Sequence, residues 1–379
     1  MIYLDNNATT AVAPEVFDAM RPYLTGDFGN PSSSHSMADV CREAVEDARR
    51  SVAAFIGAER AQEIVFTSGG TESDNWAILG ALEARPEKKK IITTKVEHEA
   101  VRKVCEKLGL SGFDIVWLDV GENGILDPET LRTSLDARTA IVSIMMANNE
   151  TGVIFPVHEL AEIVKANSDA AFHVDGVNAA GKVPIDLRDS NIDLFSISGH
   201  KFQGPKGVGA LYVRTGFDIE SNAIGGGQES GRRAGTEAVH QIAGLGAAAK
   251  LASVLEPMNE VRRLRDTLEN HILMNFDVSS LNGDRNARLP NTSNISFEGL
   301  NGELILAKLD DLGICVSTGS ACNETNHVSS PVLRAMEIPY SKAMGAIRFS
   351  LGRNNTADEI AFVINALPDV IGEVRSIAA

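Results

Sequence analysis

Three stretches of the sequence place anion-binding or reactive residues directly after short apolar runs. The first, Ser68-Gly69-Gly70-Thr71-Glu72-Ser73, follows Glu63–Thr67 and opens a helical pattern. Small residues let a backbone close on an anion, and the free N–H groups of a helix N-terminus suit a phosphate. The second is Asp175, after Ala171–Val174. The third is Lys201, in Gly199-His200-Lys201-Phe202-Gln203-Gly204-Pro205-Lys206-Gly207, after Leu194–Ser198. A lysine is ordinarily solvated, but one carried into a cleft by a strand end can form a Schiff base. Each stretch alone has a plain structural explanation: Thr71 as a helix N-cap, Asp175 as a cap or surface charge, Lys201 as a solvated cation. Together they supply a phosphate cradle, a carboxylate for a pyridinium nitrogen and an amine for an aldehyde. Those are the parts needed to hold pyridoxal 5′-phosphate.

In an open α/β sheet, ligands bind outside the carboxyl ends of the strands. Runs of strand length recur at Glu63–Thr67, Lys90–Thr94, Asp114–Leu118, Ala140–Met145, Ala171–Val174, Leu194–Ser198 and Gly209–Val213. Helical patterns lie between them at Ala38–Ile56, Glu72–Ala84, His98–Leu108, Pro128–Leu135 and Val157–Ala166. Buried strands alternating with amphipathic helices predict an α/β fold, a mainly parallel seven-stranded sheet covered by helices on both faces. Thr236–Leu255 and Met258–Phe276 read as long helices, with Pro257 marking a break between them. Shorter strands follow at Ser293–Phe297 and Ala346–Ser350, and Thr356 with Glu359 forms a capping box for the last helix. The predicted division is a large domain, 13–256, and a smaller α+β domain made of 257–379 with the N-terminal residues 1–12.

Composition narrows the alternatives. Of 379 residues, 44% are apolar and 23% charged, the profile of a folded globular chain. With 35 Lys+Arg against 51 Asp+Glu the net charge is −16. Binding of nucleic acid through phosphates draws on a basic excess and is not expected. No run approaches the roughly 18 apolar residues of a membrane span. The start, Met1-Ile2-Tyr3-Leu4-Asp5, has neither the basic nor the apolar region of a secretory signal, so a cytoplasmic protein without a membrane partner is expected. Cys41, Cys105, Cys315 and Cys322 form no CxxC pair and are too sparse for a disulfide scaffold. No Cys/His cluster has metal-ligand spacing, and no metal is expected.

Further motifs carry a resemblance that runs essentially end to end, in unbroken order. They are Tyr3-Leu4-Asp5-Asn6-Asn7-Ala8-Thr9-Thr10, Phe28-Gly29-Asn30-Pro31-Ser32-Ser33, Thr67-Ser68-Gly69-Gly70-Thr71-Glu72-Ser73 and Val96-Glu97-His98. Ala147-Asn148-Asn149-Glu150-Thr151-Gly152, Ser198-Gly199-His200-Lys201, Arg232-Arg233-Ala234-Gly235-Thr236 and Ser317-Thr318-Gly319-Ser320-Ala321-Cys322 complete the set. The sequence resembles the NifS/IscS-type cysteine desulfurases of the class-V aminotransferase family, and its motifs lean toward NifS.

The resemblance implies a fold-type I homodimer that binds pyridoxal 5′-phosphate. It implies conversion of L-cysteine to L-alanine, with the sulfur left as a persulfide on an enzyme cysteine. Lys201 then bonds to the cofactor aldehyde, Asp175 pairs with the ring nitrogen, and His98 stacks on the ring and exchanges protons with the substrate. Gly70, Thr71, Ser198 and His200 hold the phosphate, with Thr236 reaching in from the partner subunit. Asn149 sits near the ring oxygen and the substrate, and Asn178 occupies the other position facing the ring oxygen. Arg348 clamps the substrate carboxylate, a task suited to a guanidinium fork. Cys322 carries the persulfide, in a polar stretch of about 317–331 that reads as a surface loop. The partner implied is a sulfur-acceptor protein, an iron–sulfur scaffold foremost, with tRNA or cofactor thiolation as other destinations.

Some positions depart from the family pattern. Asn178 stands where glutamine is usual, and is shorter by one methylene. Gln203 replaces the more usual histidine or tyrosine, and Asn323-Glu324-Thr325-Asn326-His327-Val328 replaces a Ser-rich run. Plain structural roles remain open for His98 as a helix cap, Arg348 as an ion-pair residue and Arg232 and Arg233 as surface charges. Cys41, Cys105 and Cys315 read as packing residues. Another reaction on the same cofactor, by a selenocysteine lyase or an aminotransferase, is the alternative activity, and Cys322 discriminates because an aminotransferase has no need of it. A catalytically silent scaffold is the alternative from another class.

Overall fold

The computed structural model describes residues 1–318 and 329–378. In chain order the strands are β1 (Ile2–Tyr3), β2 (Ile64–Thr67), β3 (Lys90–Thr94), β4 (Asp114–Leu118), β5 (Thr139–Met145) and β6 (Ala171–Asp175). They continue as β7 (Leu194–Ser198), β8 (Gly209–Val213), β9 (Ser279–Leu281), β10 (Thr292–Phe297), β11 (Ile314–Cys315) and β12 (Ala346–Ser350). The central sheet has seven strands in the order β2-β8-β7-β6-β5-β3-β4. Only β8 runs against its neighbours, β2 and β7. The carboxyl ends of β2, β3, β5, β6 and β7 therefore open on one edge.

Both faces of the sheet are covered, as near-continuous apolar strands require. Val52, Phe172, Phe195 and Leu245 belong to the core on one face, and Trp76, Ile78, Ile91 and Leu211 to the core on the other. A third core gathers Leu4 with Val261, Leu268, Ile295, Ile347, Phe349 and Val363. The N-terminus joins it because β1 pairs in parallel with β11, and Asp5 continues as a bridge to Ser350. From the same C-terminal part, Leu289, Val332, Leu333, Met336 and Ala346 pack instead with the first core of the large sheet.

Element ends shift where tertiary contacts override local pattern. The helix after β2 is Gly70–Glu83, beginning two residues before the expected Glu72, with Gly69 rather than Thr71 at its N-cap position. Asp175 is the last residue of β6 rather than the residue after it. The expected helix Thr236–Leu255 shortens to Val239–Ala252, which leaves Thr236 outside. Pro257 opens Pro257–Asn275 in its first turn, where a missing N–H costs no helical bond.

One glycine ties the sheet to the turn above it. Gly209 lies opposite both Thr67 and Ser198, and a Cβ there would stand 2.5 Å from the Ile197 carbonyl oxygen and 2.8 Å from Gly69 Cα. Both are backbone atoms and cannot swing aside. Gly209→Ala is expected to lower unfolding stability by about 1–3 kcal/mol, the range for overpacking, and to push the Gly69–Thr71 turn outward. Denaturant unfolding and the cofactor dissociation constant, measured together, check both effects; no change in either would show that the turn tolerates the methyl group.

Candidate active site

Each strand end contributes one piece of a common cavity. Asp175 closes β6, Lys201 follows β7 in the short turn Gly199–Lys201, and the helix after β2 presents Gly70 and Thr71. Asn149 is delivered after β5 by a tight turn. The Asn148 side-chain oxygen accepts from the Glu150 and Thr151 amides, both at 2.9 Å, and its Nδ2 donates to the Val96 carbonyl at 3.0 Å. Such side-chain-to-backbone bonds are how asparagine sets a turn. Gly70, Thr71, His98, Asn149, Asp175, Asn178, Ser198, His200 and Lys201 all line one cavity of about 280 Å³, with Asp74 and Ala8 among its remaining walls. A larger, more apolar cavity of about 470 Å³ lies on the other side of Lys201, between the N-terminal segment and residues 351–359. Of the sequence-predicted site residues it includes only Lys201, so the smaller cavity is the candidate site.

The electrostatics of the wall are set by burial. The Lys201 amine donates to the Asn7 and Ala8 carbonyls at 2.5 and 3.1 Å. Burial first, and the Arg348 charge second, bring its pKa down to about 8, against the pull of Asp175 and Asp5. Asp175 is 5% exposed and accepts from the Val177 amide at 2.9 Å. Burial raises its pKa, while His98 and Lys201 favour its charge. His98 caps the helix Glu99–Leu110, its Nδ1 accepting from the Ala100 amide at 3.1 Å. The plain role as a cap and the place on the cavity wall thus belong to the same ring. Burial lowers its pKa and favours the neutral form. With Nδ1 accepting, the ring hydrogen sits on Nε2.

The anion end is equally local. Ser198 and His200 stand beside the helix start, and Glu72 closes the turn by accepting from the Ser68 amide at 2.7 Å. Burial acts to raise the Glu72 pKa, but Arg233 and the Ser68 contacts outweigh it and hold the carboxyl low. Arg233 bonds Glu72 at 2.9 and 3.1 Å, so it is a fastening of this turn rather than a free surface charge. Burial and the neighbouring lysines bring the His200 pKa down to about 4, so it meets an anion as a neutral hydrogen-bonding group.

Two predicted site residues stand outside the cavity wall. Arg348 lies behind Asn149: its guanidinium donates to the Asn149 carbonyl at 2.9 Å and to Asp5 at 2.6 Å. The ion-pair role is real, and the buried Nε has no hydrogen-bond partner among the described residues. Thr236 is exposed, at the end of a segment fastened by the buried Arg49–Glu229 pair, with bonds of 2.7 and 2.9 Å. Cys322 lies outside the described residues. Cys41 and Cys105 are buried, and Cys315 is part-buried in β11.

The donor set fits pyridoxal phosphate: an amine and a carboxylate across one cavity, with open amide groups at a helix start. The comparisons with known proteins agree. Residues 2–363 match the class-V aminotransferase family. The cysteine desulfurase of Trichormus azollae is 50% identical over 380 residues, covering all of this chain and 94% of the relative. The cysteine desulfurase NifS of Azotobacter vinelandii is 48% identical, covering all of this chain and 94% of the relative. The chain belongs to the class-V aminotransferase family, among its cysteine desulfurases. Of solved structures, a NifS-like protein superposes with a TM-score of 0.92 at 36% identity, covering 98% of this chain and 99% of that one. The structure described as SspA in complex with cysteine gives 0.83 at 33% identity, covering 94% of this chain and all of the other.

Asn178, expected from the sequence resemblance to depart from the family pattern, is held on both sides. Its Nδ2 donates to the Asn148 carbonyl at 3.2 Å. Lys182 donates to its backbone oxygen at 2.7 Å and to its side-chain oxygen at 3.1 Å. Lys182 is buried, and burial, then Lys201 and Arg348, press its pKa well below the ordinary value. Sequence reasoning missed Lys182 and also Asp74. The available signal for Asp74 was periodicity: it falls on the same helix face as Ile78 and Ala81, where an acid is out of place.

Proposed function

We propose that the chain is a pyridoxal-phosphate-dependent cysteine desulfurase. It takes sulfur from L-cysteine, releases L-alanine and keeps the sulfur as a persulfide on Cys322. The carrying observation is the convergence of nine predicted residues, Lys201 and Asp175 among them, on one 280 Å³ cavity. The balance is simple: the substrate C–S bond breaks, an S–S bond forms to Cys322, and the thiol proton is retained in the products.

When bound, the cofactor supplies an aldehyde for amines and an electron sink for the adjacent carbon. The protein's residues do the rest. Lys201 presents a nucleophilic amine at near-neutral pH because its ammonium form is poorly solvated. Asp175 would accept a hydrogen bond from the protonated ring nitrogen and so keep that nitrogen cationic. His98, neutral with its hydrogen on Nε2, moves a proton at that atom. Arg348 would hold the substrate carboxylate by exchanging Asp5 for it, and its bond to the Asn149 carbonyl keeps the two residues in register. Ser198, His200 and the amides of Gly70 and Thr71 receive the phosphate.

The two-domain division belongs to the same proposal, with 1–12 and 257–379 around the third core. So does a homodimer. Thr236 is exposed and held at the end of a fastened segment, as suits a residue offered to a second copy. The persulfide sulfur passes to an acceptor protein, an iron–sulfur scaffold first, in the cytoplasm. Among the described residues no helix is long and apolar enough to cross a membrane.

L-Alanine released from L-cysteine by cofactor-loaded protein with a thiol reductant tests the activity. Absence of turnover in loaded protein would overturn it. A narrower prediction concerns Asn178→Gln. The longer amide breaks the fit with Lys182 and extends toward the ring oxygen, so the pH midpoint of the cofactor's visible absorbance shifts. An unchanged titration would remove Asn178 from the groups facing that oxygen.

A further inference from the structure

The Arg348 guanidinium is only partly satisfied. An arginine carries five N–H groups. Here Nη1 donates to the Asn149 carbonyl at 2.9 Å and Nη2 to Asp5 Oδ1 at 2.6 Å. Nε is buried and has no partner among the described residues. The side chain is 7% exposed, so water does little for it, and among the described residues Asp5 is its one carboxylate within ion-pair distance. Asn149 lines the cofactor cavity, which puts the Asp5–Arg348 pair directly behind that wall.

The two partners are held differently. Arg348 sits inside β12, with Asn294 of β10 on one side and Ser317 on the other. The Asp5 side chain is 20% exposed, and its carboxyl makes one hydrogen bond among the described residues, the one to Arg348. The backbone around it is fixed. The Leu4 amide donates to the Cys315 carbonyl at 2.9 Å, the Asn6 amide to the Ser350 carbonyl at 3.0 Å, and the Ser350 amide to the Leu4 carbonyl at 2.7 Å. The carboxyl can therefore turn out to water by side-chain rotation alone. A second carboxylate arriving at this guanidinium faces two opposed costs. Sharing sets like charges side by side. Losing Asp5 with nothing in its place leaves a buried cation unpaired. Exchange avoids both, because one carboxylate leaves as the other arrives.

We infer that Asp5 is a specificity-determining residue: its carboxylate stands in on Arg348 for the carboxylate of the ligand and is displaced by it. The inference rests on the reading of Arg348 as the site for that carboxylate. No covalent bond changes, and the charge paired with the guanidinium is the same before and after. A ligand with an α-carboxylate trades places with Asp5. An amine without one leaves the Asp5–Arg348 pair intact and gains nothing from it. Affinity for an amino acid is then the difference between two carboxylate–guanidinium pairs, which keeps substrate and product from binding too tightly to leave.

Two probes test this in loaded protein: L-alanine, and ethylamine as the same amine without the carboxylate, both followed by the cofactor's visible absorbance. Asp5→Asn keeps an oxygen for Nη2 but removes the competing charge. Its dissociation constant for L-alanine should fall about tenfold, the order of one opposed charge, with that for ethylamine unchanged. Asp5→Glu keeps the carboxylate and should stay near wild type. In an Arg348→Met background Asp5→Asn should have no effect on L-alanine. Unchanged or weaker L-alanine binding in Asp5→Asn would overturn the inference and leave Asp5 as a brace for the guanidinium. Equal tightening of both probes would also overturn it, as a general charge effect. Cofactor-free protein gives an independent reading. Acetate is titrated against the ¹⁵Nε–¹H signal of Arg348, which Arg348→Met assigns, and Asp5→Asn should bind acetate more tightly than wild type. Equal acetate affinity in the two would overturn the exchange. Because the acetate titration needs neither cofactor nor turnover, its failure is separate from failure of the desulfurase assignment.

Discussion

Replacing Lys201 with alanine is expected to abolish L-alanine formation, a loss on the order of 10³-fold or more given what a nucleophile that also moves protons contributes. After borohydride treatment the variant retains no attached cofactor. The geometry leaves no substitute. Lys182 is the nearest other buried lysine, but its amine is committed to both oxygens of Asn178 and lines the other cavity. Lys206 is exposed. A fully active Lys201→Ala variant would sink the assignment. The same residue sets a pH dependence in the wild type. Only the unprotonated amine adds to an aldehyde, and burial with the Arg348 charge disfavours the ammonium form. Cofactor uptake by cofactor-free protein should therefore rise with pH through a midpoint near 8 rather than the ordinary 10.5. Arg348→Met removes a cation and should move that midpoint upward. A wild-type midpoint near the ordinary value would mean that Lys201 is solvated.

Which parts of this site were legible in the sequence follows from what encodes them. Asp175, Lys201 and the Gly69–Thr71 turn stand at the ends of apolar runs, and the end of a buried parallel strand is where a fold of this class meets its ligand. The seven strands were legible for the same reason: near-continuous apolar runs have few alternatives. The helix start was misplaced because Gly69 and Gly70 read as loop. Here Gly69 is the N-cap, its amide on Thr67 Oγ1 at 3.4 Å, and Gly70 opens the first turn on the cavity wall. Thr236 was assigned to a helix it does not join: the helix starts at Val239, after a segment anchored through Glu229 to Arg49, 180 positions away. Asp74 and Lys182 escaped for a deeper reason. A charged residue among apolar neighbours reads as a solvated interruption, and only the packed sheet shows that water cannot reach it.

Cys322→Ser is expected to leave cofactor binding intact while L-alanine formation falls to on the order of 1% of wild type or less, with no persulfide on the protein. The serine hydroxyl is a far weaker nucleophile toward sulfur than a thiolate, so the C–S bond has no acceptor. Although Cys322 lies outside the described residues, the chain enters and leaves its segment beside the site. Ser317 pairs with Arg348 through the backbone, at 2.7 and 3.2 Å, and the Ser330 hydroxyl donates to Glu150 at 2.5 Å, next to Asn149. Buried Glu150, its pKa pushed up to about 7 by loss of solvation, is one residue from the carbonyl that Arg348 holds. Both flanks are therefore fastened beside the candidate site, one to Arg348 and the other to Glu150. The other thiols offer no replacement: Cys41 donates to the Asp27 carbonyl at 3.0 Å on a buried helix face. Burial pushes the Cys105 thiol up to about 12, which leaves almost no thiolate at neutral pH. Cys315 is committed to β11, paired with β1. Mass spectrometry of the protein after one equivalent of L-cysteine, without reductant, reads the result directly. A mass gain of one sulfur in the wild type alone assigns the carrier. The same gain in Cys322→Ser would move the persulfide to another thiol, and with it the point at which an acceptor protein must dock.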